Sequence, residues 1–339
     1  MTKRPIRLTT GEHPILDIFS LGRVGPSGRF SPTQIEQIRR TVRRVPEVMV
    51  KVTGGGGKVG AVAAHLAYIS RKGELAIETD EGTRVATREA QGELLADWHL
   101  ELSAGQYRGP RDGRSTARRT KLVHNIVLSM PSPTPPEKIL AAARRFAREK
   151  FGDQHLYAMV LHTDQRHPYV HMVVKAESEE GRRLHIDKAM LRVWREDFAR
   201  LLREQGIAAN ASPSVARGRT KRATSTAIYR SQQRGTSRVA RERVTAIAEQ
   251  LSLTGLLGDP SRSKLLETRA AVLCAWRNIA DTLDRQGEVV LAGDVRHFAR
   301  HLPSVRTDNE QLADRIAKFM RAKNTGPENR PEITPVRTR

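Results

Sequence analysis

His162, Asp164, His167 and His171 fall within ten residues, in the run His-Thr-Asp-Gln-Arg-His-Pro-Tyr-Val-His, a high density for a chain with 11 histidines. In extended structure alternate side chains share a face, so Tyr169 and His171 point the same way and a neighbouring strand can bring His162 to the same spot. Imidazoles on adjacent strands can make a metal or phosphate site; the alternative is a merely hydrophilic turn. A second candidate is Tyr68, near the end of an amphipathic helix and followed by Arg71 and Lys72. An isolated tyrosine is by default half-buried core with a satisfied hydroxyl. The two cations change that balance. A phenol with a pKa of about 10 needs cationic surroundings or a metal-bound leaving group to act as a nucleophile near neutrality, and the same cations hold a phosphate.

A third candidate is the loop Gly54-Gly55-Gly56-Gly57-Lys58-Val59-Gly60. It fails the pattern of a nucleotide-binding P-loop, because Val52 stands where the first glycine belongs and Val59 follows Lys58. What remains is a glycine turn at a helix N-terminus with Lys58 beside it, suited to a phosphodiester or simply to a tight turn.

The elements that must position these groups can be read along the chain. Ser31, Pro32 and Gln34 supply cap, first-turn proline and capping-box partner for a short helix in a basic N-terminal arm, residues 1–45. Residues 46–210 alternate strands (48–52, 75–79, 121–129, 156–162 and 170–176) with helices (61–70, 88–102, 137–151 and 188–205), and the turn at Asp80-Glu81-Gly82 makes a short hairpin after the second strand. That order predicts an α+β domain, a mainly antiparallel five-stranded sheet flanked by helices. Residues 105–119 read as a mobile basic loop. A basic linker over residues 211–236 leads to a C-terminal α-helical region, 237–323, whose long middle helix shows a wide apolar face from Leu265 to Leu283. Residues 324–339 read as a disordered Arg-containing tail.

Composition narrows the partner. With 59 Lys+Arg against 37 Asp+Glu the formal net charge is +22, which points to a polyanion and away from a metabolic enzyme of small neutral or anionic substrates. Cys274 is the only cysteine, so no intrachain disulfide forms and a reducing cytoplasm fits. No apolar run is long enough to span a membrane, and the basic N-terminus lacks the apolar core of a secretion signal.

The two chemical segments together resemble the nuclease domain of conjugative and mobilisation relaxases, in the HUH endonuclease superfamily, and in particular the branch of the MobA-type and T-DNA-border nicking enzymes. Ala64-His65-Leu66-Ala67-Tyr68-Ile69-Ser70-Arg71-Lys72-Gly73 is similar to the family's nucleophile motif. His162-x-Asp164-x-x-His167-Pro168-Tyr169-Val170-His171 is similar to its metal motif. Leu94-Leu95-Ala96-Asp97-Trp98 and the strand carrying His124, Val123 to Pro131, resemble the family in the same order and spacing. The resemblance covers about residues 46–210.

It implies a DNA relaxase that nicks one strand at an origin of transfer. Tyr68 would attack the scissile phosphorus in line, leaving a 5′-phosphotyrosyl link and a free 3′-hydroxyl, and because the bond energy is kept the step would be reversible. A divalent metal, Mg²⁺ or Mn²⁺, would stabilise charge on a non-bridging oxygen, with His162 and His171 as ligands and Asp164 orienting a histidine. The family pattern has His-Val-His after the proline, and Tyr169 here replaces the first of those histidines. His167 is the preferred substitute; a Tyr169 phenolic oxygen or Asp164 as ligand are the alternatives, and Tyr169 as a second nucleophile or a packing residue is a fourth. Lys58, Arg71, Lys72 and Arg166 are the expected DNA-binding residues near the site, with the arm, the 108–119 loop and the 217–234 segment wrapping a strand. Trp98, Tyr107 and Tyr229 are the candidates for base stacking. Relaxosome accessory proteins and a type IV coupling protein are the implied protein partners, and the arginines of the far C-terminus, Arg337 and Arg339, resemble tails that direct relaxases into type IV secretion channels.

Two other classes compete. A catalytically impaired single-stranded-DNA-binding mobilisation accessory protein would keep the fold and charge while Tyr169 spoils the metal site. A metal-dependent phosphodiesterase using water would release product without a covalent adduct.

Overall fold

The computed structural model describes residues 29–106, 120–219, 231, 234, 237–254 and 261–324. The expected stacking residues Tyr107 and Tyr229, the 108–119 loop, most of the N-terminal arm and the C-terminal tail with Arg337 and Arg339 lie outside them. The described residues divide into two compact units, 30–212 and from Pro213 onward.

The first unit opens with α1 (Pro32–Val42), started as its sequence predicts: Ser31 Oγ accepts from the Gln34 N–H and Gln34 Oε1 accepts from the Ser31 N–H. There follow β1 (Met49–Gly54), α2 (Val59–Ile69), β2 (Ile77–Thr79), β3 (Arg84–Val85), α3 (Arg88–Asp97), α4 (Leu100–Gln106), β4 (Val123–Ser129), α5 (Pro136–Phe151), β5 (Tyr157–His162), β6 (Tyr169–Lys175) and α6 (Lys188–Glu204). The sheet order is β1-β4-β6-β5-β2-β3 and every neighbouring pair is antiparallel. The α+β architecture is the expected one, but the sheet has six strands where five were expected. The extra strand is β3, the returning arm of the hairpin through Gly82 (φ 82°), and two residues are too few to show an alternation. The helix expected over residues 88–102 is divided at His99, whose φ of 47° turns the chain between α3 and α4.

Strand alternation splits the sheet into two faces. On one, Val50, Ile126, Leu128, Val170, Met172, Val174 and Met159 pack against α5 and α6, where the rings of Phe146, Phe151, Trp194 and Phe198 meet edge to face. On the other, Val123, Ala158, Val160 and Val173 pack against Val62, Leu66 and Ile69 of α2, and Leu94, Trp98 and Leu100 complete the cluster. Glu47, just before β1, accepts from Asn210 Nδ2 at 3.0 Å, Ser212 N at 2.7 Å and Ser212 Oγ at 2.6 Å, which ties the last turn of this unit to its first strand.

The second unit is helical: α7 (Arg238–Thr254), α8 (Ser261–Arg285), α9 (Val289–Arg300) and α10 (Asp308–Asn324). The expected apolar stripe of α8 buries Val272, Trp276, Ile279 and Leu283, while Leu266 stays 46% exposed. Trp276 Nε1 donates to the Ala216 carbonyl at 2.9 Å, so the ring is buried with its polar handle satisfied. Among the described residues no helix is long and apolar enough to cross a membrane.

Candidate active site

The glycine loop sets where α2 lies. A Cβ on Gly55 would stand 2.2 Å from the Val123 carbonyl oxygen and one on Gly56 would stand 2.6 Å from Val62 Cγ2. The Gly56 carbonyl accepts from the Leu122 N–H at 2.6 Å. The glycines therefore serve close backbone approach to β4. Lys58, the residue before α2, is exposed, and at ten residues from Tyr68 it stands roughly 15 Å along the helix from it.

With Val62, Leu66 and Ile69 buried against the sheet, the three-residue step from His65 to Tyr68 sets both rings on one side of α2. Tyr68 is 63% exposed. Its ring lies 6.2 Å from that of His65, nearly parallel. The strands below supply the rest. His162 ends β5 and pairs across to Tyr169 on β6, so His162, Tyr169 and His171 share the α2 face. Ring centroids are 5.0 Å apart for His162 and His171, 4.9 Å for His162 and Tyr169, and 6.1 Å for His65 and His171.

Ring nitrogens of these imidazoles are shielded without partners. Both ring nitrogens of His162, Nδ1 of His171 and Nε2 of His65 are shielded from solvent and have no partner at hydrogen-bond geometry, although the Ile69 backbone and Asp164 lie close enough to His162 to offset part of its burial. Burial lowers the pKa of all three histidines, to about 4 for His171, where the neighbouring His162 and His65 add to the effect. Neutral imidazoles with free lone pairs are the donor set of a divalent metal. As placed, no three His, Cys, Asp or Glu side chains among the described residues converge closely enough to form an ion site.

Beside the cluster sits Asp164. Arg71 Nη2 lies 2.5 Å from its Oδ2, the Tyr169 hydroxyl donates to Oδ1 at 3.4 Å, and His162 Nδ1 stands 3.7 Å away, beyond hydrogen-bond reach. Burial pushes the Asp164 carboxyl up, but the Arg71 hydrogen bond, a backbone hydrogen bond and the Arg71 and His162 charges together outweigh it, and the net shift is downward. Burial, and after it the Asp164 charge, pushes the Tyr169 phenol up. The backbone makes the Arg71 contact through a turn in which Arg71, Lys72 and Gly73 all have positive φ, of 51°, 60° and 101°. For the two non-glycine residues that conformation costs about 1 kcal/mol or more each. Ser70 anchors the turn: it is fully buried and its Oγ accepts from Gln91 Nε2 at 3.1 Å.

The structure thus brings together Tyr68, His65, His162, Tyr169, His171, Asp164 and Arg71. It leaves His167, His124 and Trp98 elsewhere, besides Lys58 at the far end of α2. His167 is exposed, and its Nδ1 accepts from the Ser132 N–H at 3.0 Å. His124 pairs with Val174 and so lies on the α5/α6 face, its Nε2 3.1 Å from the Leu184 carbonyl. Trp98 is 1% exposed and has no ring face to offer a base. Lys72 and Arg166 are exposed, and Arg166 lines a shallow groove with Ser132, Pro133, Thr163 and Pro168. The position sequence reasoning left open and the structure moves inward is His65; its spacing of three from Tyr68 is the signal for it.

Residues 68–207 match the family model described as relaxase, MobA/VirD2-like, nuclease domain. Over that span the first unit, with this antiparallel sheet, is similar to a MobA/VirD2-like relaxase nuclease domain. Among individual proteins, the chain is similar to the T-DNA border endonuclease VirD2 of Agrobacterium fabrum (strain C58), 27% identical over 212 residues, covering 58% of this chain and 46% of that protein. It is also 26% identical over 205 residues to the VirD2 of Rhizobium rhizogenes, covering 56% and 45%. The chain spans about half the length of the curated relatives it matches.

Proposed function

We propose that this protein is a DNA relaxase that nicks one strand at an origin of transfer by transesterification, with Tyr68 as the nucleophile. The observation that carries this reading is the exposed Tyr68 phenol standing on the same sheet face as imidazoles whose shielded ring nitrogens have no hydrogen-bond partner. Tyr68 Oη forms a bond to the scissile phosphorus as the bond from phosphorus to the 3′ oxygen breaks. The phenol loses its proton, the 3′ oxygen gains one, and the strand's 5′ end stays on the tyrosine. The number of phosphodiester bonds is unchanged, so the 3′-hydroxyl can reverse the step.

His162 and His171 would hold a divalent metal, Mg²⁺ or Mn²⁺, which supplies Lewis-acid stabilisation of charge on the phosphate. Asp164 is held by Arg71 and fixes the Tyr169 hydroxyl, and Tyr169 in turn stacks on His162, so the carboxylate orients the imidazole through the tyrosine ring. Lys72 and Arg166 face solvent and are the free cations for the strand's phosphates near the site. The excess of 59 basic over 37 acidic residues supplies counterion-release affinity along it. Relaxosome accessory proteins and a coupling protein enter this reading through the family resemblance alone.

Incubating the full chain and Mn²⁺ with single-stranded oligonucleotides tiling the transfer origin of its own element should give a covalent protein–DNA adduct, absent in Tyr68→Phe. An adduct that survives that change removes Tyr68 from the role. The second reading, a DNA-binding accessory protein without nicking activity, is favoured by Tyr169 at the expected histidine and by the lack of a converged ion site among the described residues. It expects DNA binding, no adduct and no Mn²⁺ uptake.

A further inference from the structure

We propose that His65, from α2, supplies the third imidazole of the metal site, in place of the residue at position 169. The inference rests on the relaxase reading above and adds a ligand that lies three residues ahead of the family match. Two imidazoles on one ion, each with a metal–nitrogen distance of about 2.1 Å, hold their ring centroids roughly 5 Å apart. His162 and His171 stand at 5.0 Å and meet that spacing. His65 stands 6.1 Å from His171, a little wider than that spacing, so its half-buried side chain would move toward the pair to join them.

The other candidates for the third position are engaged. The Tyr169 hydroxyl points to Asp164, and its ring lies flat on His162 at an interplanar angle of 18°. Asp164 is paired with Arg71. His167 is turned to the Ser132 backbone. His65 Nε2, by contrast, is shielded from solvent and has no partner, like the orphan nitrogens of His162 and His171. A buried polar atom left unpaired costs about 1–3 kcal/mol, so three histidines in that state on one sheet face point to a shared ligand. Because His65 and Tyr68 are one helical turn apart, the same ion would tie the nucleophile's helix to the sheet.

The test is calorimetric titration of the full chain with Mn²⁺, with the Mn²⁺ electron paramagnetic resonance spectrum as a second readout. His65→Ala should weaken Mn²⁺ binding by at least about tenfold, and His167→Ala should leave it unchanged. The decisive variant is His65→Ala combined with Tyr169→His, which supplies an imidazole from β6 and should recover binding; a merely structural role for His65 would not be rescued there. Wild-type affinity in His65→Ala, failure of the double variant to recover binding, or no Mn²⁺ uptake by the unaltered chain overturns the inference. If binding is unchanged but adduct formation falls, His65 acts on Tyr68 instead, and the inference fails while the relaxase reading stands. If Mn²⁺ binds through His65 and no oligonucleotide gives an adduct, the ligand assignment holds and the nicking reading falls.

Discussion

On the α5/α6 face of the sheet, His124 is 9% exposed and one ring nitrogen is bonded to the Leu184 carbonyl; on the α2 face, His162 is 3% exposed and neither ring nitrogen is bonded. Both residues sit on strands of one sheet, the residue type is the same and the burial is similar. An imidazole facing a carbonyl carries its proton on that nitrogen and is part of the packing. Imidazole nitrogens shielded from solvent with no partner within hydrogen-bond distance keep their lone pairs available, at a cost the fold bears. His124 keeps one shielded nitrogen, Nδ1, without a partner, so the contrast is one of degree: on the α5/α6 face one nitrogen is tied to the backbone, and on the α2 face, which the proposed chemistry would use, neither nitrogen of His162 is.

The largest expected effect tests the first half of that contrast. Phe146 is fully buried among Phe151, Trp194 and Phe198, so Phe146→Ala should cost about 3–5 kcal/mol in urea unfolding of the full chain. A loss below about 1 kcal/mol would break the assignment of stability to that face.

Acidification gives a somewhat smaller effect. Burial lowers the His124 pKa to about 4 in the folded chain, against about 6.5 when unfolded. The unfolded state therefore takes up the proton first. The stability contributed by His124 is fully present above pH about 6.5, is lost as pH falls toward 4, and changes no further below that. The full shift corresponds to roughly 3 kcal/mol, and solvent screening brings the expectation to about 2. His155, His162 and His171 shift in the same direction, so the measurement is the difference between the unaltered chain and His124→Gln in urea midpoints from pH 7 to 4. Parallel curves for the two would show that His124 is not the group responsible.

The smallest expected change in stability sharpens the second half. His171→Leu removes an unpartnered buried imidazole and replaces it with an apolar side chain, so stability should stay within about 1 kcal/mol or rise, while adduct formation falls to background. A large destabilisation would mean that His171 belongs to the packing, as His124 does.

Much of the fold was legible because its signals are local. The capping box of α1 acts over three residues, and the stripe of Val62, Leu66 and Ile69 repeats at helical spacing within one element. The hairpin through Gly82 was legible from its turn residues, but its returning arm β3 was not counted as a strand, since two residues carry no period, and the break at His99 depends on a backbone conformation that residue type does not announce. In the candidate site, His162, Tyr169 and His171 could be placed on one face from alternation and one hairpin.

By itself the sequence determined the charge and the antiparallel α+β plan, because each follows from composition or from periods of two and 3.6 residues, while the pairing of a tyrosine helix with a histidine hairpin came from the resemblance of the two motifs to a family. Which histidines belong together was decided only in three dimensions. The register that aligns His124 with Val174 sends it to the α5/α6 face, and the close approach of Gly55 and Gly56 to β4 sets α2 on the other. The left-handed turn after Tyr68 commits Arg71 to Asp164, and a backbone hydrogen bond holds His167 at Ser132. Those contacts join residues far apart along the chain, and which long-range surfaces meet is settled by how the two faces of the sheet are covered, a property of the packed molecule that no local period contains.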